Sequence, residues 1–83
     1  MKVLKFSASW CGPCKMLSTV IGDMGDLPMQ LEEIDIDQNM ELAKQYGIRG
    51  VPTMIVVDDK GAEQRRVSGV MNEAAVLKFM KGE

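Results

Sequence analysis

Apolar and polar positions follow distinct rhythms along the chain. Val3-Leu4-Lys5-Phe6-Ser7-Ala8 is an apolar run broken by one lysine and predicts a short strand. Met16, Leu17, Val20, Ile21 and Met24 recur at helical spacing and give one apolar face to a helix opening near Cys11. Pro13 falls in its first turn, where a missing N–H costs nothing, and Gly25 and Pro28 end it. Leu31 to Ile36 mixes acidic and apolar residues and predicts a second strand. Asn39 is read as the cap of a short helix that holds Met40, Ala43 and Tyr46 and closes at Gly47. Thr53-Met54-Ile55-Val56-Val57 is the most apolar, most β-like run and predicts a central strand. Asp58 to Gly61 is a turn. Glu63 to Ser68 returns as an antiparallel edge strand guarded by Arg65 and Arg66. Asn72 caps a last helix carrying Val76, Leu77, Phe79 and Met80.

The order is β-α-β-α-β-β-α. Strand-helix-strand units predict parallel pairing with right-handed crossovers, and the turn at 58–61 predicts one antiparallel pair. An α/β fold follows, a four-stranded mixed sheet with helices on both faces. With 83 residues, 46% of them hydrophobic and 27% charged, the chain is read as a single domain, 1–83, with a thin core. A net charge of −2 excludes a strongly basic nucleic-acid binder and gives no pull toward anionic membranes. The absence of histidine removes His-based catalysis and the commonest metal ligand. No apolar run approaches the roughly 18 residues of a membrane span. Lys5 interrupts the stretch where an export signal needs apolar residues, so a cytoplasmic location is expected.

The chemistry concentrates in Trp10-Cys11-Gly12-Pro13-Cys14, at a strand-to-helix junction. A bridge between cysteines three positions apart closes a tiny loop and constrains little of the unfolded chain, so reactivity outweighs stapling. Cys11 at the helix start meets unpaired N–H groups and the positive end of the dipole, which favour a thiolate. Cys14, one turn inside, is expected to be more buried. The pair suits two-step exchange: attack by Cys11 on a disulfide, then release by Cys14. The competing readings are a structural pair or half of a zinc site, which needs four ligands where this chain offers two cysteines. Glu32, Glu33, Asp35 and Asp37 read as a polar strand face rather than a cation site.

Beyond the cysteine motif and the Lys15-Met16 after it, the chain carries Asp35-Ile36-Asp37-Gln38-Asn39, then Tyr46-Gly47-Ile48-Arg49-Gly50-Val51-Pro52-Thr53, then Gly61 and Gly69. Together these resemble the thioredoxin family nearly end to end. The resemblance implies a minimal thioredoxin-like sheet of order 2-1-3-4, with the first and third helices on one face and the second on the other. It implies that Cys11 attacks and Cys14 resolves, with Trp10, Gly12 and Pro13 flanking them. Val51-Pro52 becomes a cis peptide beside the cysteines, the Val51 backbone pairing with substrate, and Gly69 and Val70 form an adjoining apolar docking loop. The implied function is protein disulfide reduction by a monomer that is its own electron carrier and binds no cofactor. Its partners are disulfide-containing proteins and a thioredoxin reductase or other dithiol donor, with no nucleic acid and no membrane.

The chain also departs from the family. It begins at the strand leading into the motif, whereas the usual thioredoxin has a further strand and helix before it. Thr19 stands where a kinking proline is common, so a straighter helix is expected. Lys5 stands where the family places a buried aspartate, and Glu33 where it places a lysine. Lys5 and Glu33 are therefore candidate catalytic residues, a partly buried ion pair beneath Cys14 that manages its proton. The alternative is that both side chains reach solvent. The short scaffold also raises a glutathione-dependent, glutaredoxin-like activity, against which the Gly12-Pro13 spacer argues. A third reading is a binding subunit without redox turnover. Most of the eight methionines are read as core fillers, and Met71 as a candidate for the docking surface.

Overall fold

The computed structural model describes residues 1–83 as β1 (Lys2–Ser7), α1 (Gly12–Asp23), β2 (Gln30–Asp35), α2 (Met40–Gln45), β3 (Thr53–Val57), β4 (Glu63–Ser68) and α3 (Glu73–Lys81). The strands form one sheet in the order β2-β1-β3-β4. This is the predicted α/β topology. β1 and β2 each begin and end one residue earlier than the sequence pattern suggested.

One expectation about direction is corrected. Only β1 and β2 are parallel, with Lys5 opposite Glu33. β3 runs antiparallel to β1 as well as to β4. The cause lies in the short second helix. A six-residue helix spans about 9 Å, too little to carry the chain back along a strand of about 20 Å. The segment after α2 instead returns to the end of the sheet where β2 finished, and β3 starts there.

The two faces of the sheet build separate cores. Val3, Met54 and Val56 point toward α1 and α3 and meet Leu17, Val76 and Met80, all essentially inaccessible. Leu4, Phe6, Ile34, Ile55 and Val57 point the other way, where Leu42, Ala43 and Tyr46 of the α2 region cover them. The strict period of two along β1 and β3 produces this division. It leaves Lys5 facing α1 among apolar neighbours.

Other side chains differ from expectation. Met16 is 61% exposed, because the buried stripe of α1 runs through Cys14 and Leu17. Met54 and Met80 are buried, while Met24, Met29 and Met71 pack at the margin of the core, so Met71 belongs to packing. Asn39 makes no side-chain cap; its Nδ2 donates to the Asp35 carbonyl at 3.1 Å. Asn72 does cap α3, its Oδ1 accepting from Ala75 N–H at 2.9 Å. Thr19 donates to the Lys15 carbonyl at 3.1 Å, and α1 runs unbroken past it.

Arg65 does more than guard an edge. Its Nε and Nη2 donate to the Phe79 and Met80 carbonyls at 2.7 and 2.6 Å, and its guanidinium lies 5.7 Å from the Phe79 ring centre. It thus closes the C-terminal end of α3, where carbonyls lack helical partners and the dipole is negative. Gly82 follows in a left-handed conformation, φ 75°, and a Cβ there would stand 3.2 Å from the guanidinium. Only glycine meets both conditions without strain.

Candidate active site

β1 ends at Ser7, and the chain turns through Ala8, Ser9 and Trp10 into α1. Cys11 N–H donates to the Ala8 carbonyl at 3.1 Å, which fixes the turn. Cys11 then occupies the N-cap of α1 with extended backbone, φ −93° and ψ 110°. Its Sγ accepts the Cys14 backbone N–H at 3.1 Å. Sulfur here takes the place of the serine or aspartate oxygen that usually caps a helix. Pro13 fits the first turn because its position needs no N–H. The cap N–H and the dipole both favour negative charge on Cys11 Sγ.

Cys11 and Cys14 are joined as a disulfide, their Cα atoms 5.3 Å apart. Cys14 is 2% exposed and Cys11 5%, with Ile36 and Val51 packed against them. The expected order of burial holds by a small margin.

The Val51–Pro52 peptide is cis. The Val51 carbonyl oxygen lies 3.7 Å from Cys11 Sγ, and no backbone hydrogen bond within the chain engages Val51. Thr53 Oγ1 donates to the Gly50 carbonyl at 2.7 Å and meets Ser68 Oγ at 3.2 Å. Gly69, at φ 92°, donates its N–H to the Pro52 carbonyl at 2.9 Å. These contacts tie the Pro52 loop to the loop after β4. The structure therefore brings Cys11, Cys14, Gly12, Pro13, Val51, Pro52 and Gly69 together at one end of the sheet.

Trp10 and Val70 are exposed at that end, 68% and 40%. Trp10 Nε1 donates to Asp37 Oδ2 at 3.0 Å. Asp37 is in turn held by its N–H on Asp35 Oδ1 at 2.8 Å. An exposed indole with its polar edge already bonded offers an apolar surface beside the cysteines. The largest cleft, about 530 Å³, lies at the opposite end of the sheet, lined in part by Met1, Leu4, Leu42 and Val57. No residue of the cysteine motif lines it.

Lys5 and Glu33 meet, though away from the docking surface. Lys5 Nζ donates to Glu33 Oε1 and Oε2 at 2.8 and 3.1 Å and to Ser18 Oγ at 2.7 Å. The partners differ sharply in exposure, 1% for the Lys5 side chain and 54% for Glu33. Sequence reasoning missed Ser18 and read Asp37 as part of a polar strand face, whereas Asp37 lies in the turn beyond β2. Ser18 follows Cys14 by one helical turn, the spacing at which side chains are neighbours, and that was its available signal. Nothing in the sequence pattern paired Asp37 with Trp10.

Comparison with known proteins agrees with this geometry. The thioredoxin family matches residues 1–82. The chain is 43% identical over 58 residues to the thioredoxin of Bacillus subtilis, covering 65% of this chain and 55% of that protein. It is 31% identical over 81 residues to the thioredoxin of Pseudomonas aeruginosa, covering 94% and 74%. Among solved structures, a point mutant of the thioredoxin from Halobacterium salinarum superposes with a TM-score of 0.86 at 35% identity, covering 98% of this chain and 72% of that one. A disulfide-bonded cysteine pair whose first member caps the first helix, a sheet of order β2-β1-β3-β4 and these relatives lead to one conclusion: the chain belongs to the thioredoxin family.

Proposed function

We propose that this chain is a protein disulfide reductase that works as a single thioredoxin-like domain over residues 1–83. The observation that carries the reading is the Cys14 N–H directed at Cys11 Sγ, at the N-cap of α1. In the reduced protein Cys11 Sγ, as thiolate, attacks one sulfur of a substrate disulfide. The substrate S–S bond breaks, one substrate sulfur leaves as thiolate and takes up a proton, and a mixed disulfide forms. Cys14 then loses its proton and attacks Cys11 Sγ. The second substrate thiolate departs, and the Cys11–Cys14 disulfide remains. Two electrons from a thioredoxin reductase or another dithiol donor restore the pair, and no bound cofactor takes part.

The surroundings support this reading. Trp10, Gly12, Pro13, Gly69 and Val70 supply the surface on which a substrate segment lies. The free backbone groups of Val51 pair with its main chain in the manner of an added strand. Reduction of disulfides fits a cytoplasmic setting, where thiols are kept reduced.

The test is turnover of a protein disulfide with three electron supplies: a small dithiol, NADPH with thioredoxin reductase, and NADPH with glutathione and its reductase. Cys11→Ser is expected to abolish turnover, and Cys14→Ser to accumulate the mixed disulfide. Turnover on glutathione alone would move the chain to a glutaredoxin-like activity. Partner binding that survives the double Cys11→Ser, Cys14→Ser variant, without wild-type turnover on any supply, would replace the reductase reading with a binding subunit.

A further inference from the structure

Of the three carbonyls that lead into β3, at Gly50, Val51 and Pro52, two are held. Thr53 Oγ1 donates to the Gly50 carbonyl at 2.7 Å, and the Gly69 N–H donates to the Pro52 carbonyl at 2.9 Å. Val51 keeps both its N–H and its carbonyl free of backbone partners.

The direction of the hydroxyl bonds follows from their protons. A threonine hydroxyl carries one proton, and a carbonyl can only accept. The Thr53 proton therefore goes to Gly50, and in the 3.2 Å contact between the two hydroxyls Ser68 Oγ is the donor. Thr53 and Ser68 are register partners across β3 and β4, and Thr53 is 3% exposed. The relay runs from Ser68 to Thr53 to Gly50, each bond polarising the next.

The Gly50 carbonyl belongs to the same peptide as the Val51 N–H. That peptide is trans, so its C=O and N–H point in opposite directions. A carbonyl turned onto a buried hydroxyl sends the N–H outward. Packing does little to fix this plane. Gly50 is exposed, a Cβ on it would meet nothing within 4 Å, and glycine tolerates the rotation by which a peptide turns over.

We infer that Thr53 is a positioning residue for substrate docking: its hydroxyl, backed by Ser68, holds the Gly50–Val51 peptide so that the Val51 N–H faces a main-chain carbonyl of the substrate segment. Thr53 acts through Val51 and moves no proton or electron of the exchange. This role rests on the reductase reading and deepens it, by naming what keeps the strand-like contact in register.

The test mixes the reduced chain with two disulfides in single turnover, which needs no electron supply. Insulin offers main chain beside its disulfides, and bis(2-hydroxyethyl) disulfide has none. Thr53→Val keeps the branched shape and deletes the hydroxyl. One hydrogen bond contributes a several-fold to roughly tenfold effect, so the second-order rate constant for insulin is expected to fall about fivefold, while that for the small disulfide stays within about twofold. Thr53→Ser restores a hydroxyl and is expected to bring insulin reduction back to within about twofold of the parent. Ser68→Ala, at an exposed position, is expected to lose about twofold on insulin alone. If Thr53 serves packing only, valine replaces it fully and serine is the worse substitute. An insulin rate for Thr53→Val within twofold of the parent, or an equal loss on both disulfides, would overturn the inference and leave the reductase reading intact. Failure of the parent chain to reduce insulin would overturn both.

Discussion

Arg65 joins the last strand to the last helix, and its removal is calculable. Arg65→Met keeps the aliphatic stem and deletes the guanidinium, with its hydrogen bonds of 2.7 and 2.6 Å to the Phe79 and Met80 carbonyls. Hydrogen bonds from a charged donor contribute about 1.5–3 kcal/mol each. The two share one group, and the carbonyls sit at a helix end where water can replace the donor, so the sum is not realised. The helix-end charge adds about 0.3–1 kcal/mol, and stacking on Phe79 about 0.5 kcal/mol. The net expectation is a loss of about 2 kcal/mol. With a urea slope of about 1 kcal/mol/M, typical of a small domain, the unfolding midpoint drops by roughly 2 M. Far-UV circular dichroism is the suitable probe, because Trp10 is 68% exposed and its emission reports the surface. Arg65→Lys serves as the second arm: a single ammonium cannot span both carbonyls as the planar fork does, so it is expected to recover less than half the loss. A midpoint shift below about 0.5 M in Arg65→Met, or full recovery by Lys, would refute the two-pronged closure.

Three further expectations follow from the same geometry. Leu17→Ala removes a side chain with no accessible surface from beneath α1 and is expected to cost about 3 kcal/mol by urea titration. Gly69→Ala forces an L residue to φ 92° in the loop bonded to Pro52; a stability loss of about 1–2 kcal/mol is expected, with a fall in kcat/KM for protein disulfides. The hydrogen bond from Arg66 holds the Glu63 carboxyl below its ordinary 4.5, against a smaller opposing effect of desolvation and with added charge attraction. A lowered folded-state value means the pair stabilises above pH 4.5 and ceases to do so as pH falls through the lowered value. Both side chains are about a third exposed, so the contribution stays below about 1 kcal/mol. The urea midpoints of wild type and Glu63→Gln should differ at pH 7 and converge as pH falls through the lowered value.

Much of the architecture was legible, for identifiable reasons. Thr53–Val57 and Glu63–Ser68 were read to the residue, since an apolar β-branched run and a four-residue turn leave little choice of boundary. The direction of β3 was not legible, because it depends on where the chain after α2 comes back, and local pattern carries no such information. Met16 misled because apolar character alone does not say which side of a helix a residue faces. Arg65 was read as an edge charge because its partners are backbone carbonyls, which no side-chain pattern announces. At the site, the cysteine motif pointed directly to its chemistry, and the pairing of Lys5 with Glu33 was suggested by opposite charges at aligned strand positions. Their unequal exposure, and the third partner Ser18, follow only from how α1 lies across β1.

The second helix has a consequence of another kind. It is six residues long, buries no residue fully and lacks a side-chain cap, well below the length at which a helix persists unaided. α1 and α3, by contrast, each bury two residues fully, and Leu17, Val76 and Met80 of these lie in the opposite core. Opening of α2 therefore ranks among the least costly excursions of the native chain, and its amides should exchange with solvent long before those of β3. Such an opening bares the Phe6 and Ile55 side of the sheet while leaving the cysteine helix clamped on the other. Wear and work are placed on opposite faces, so the molecule can breathe without losing the geometry of its sulfurs.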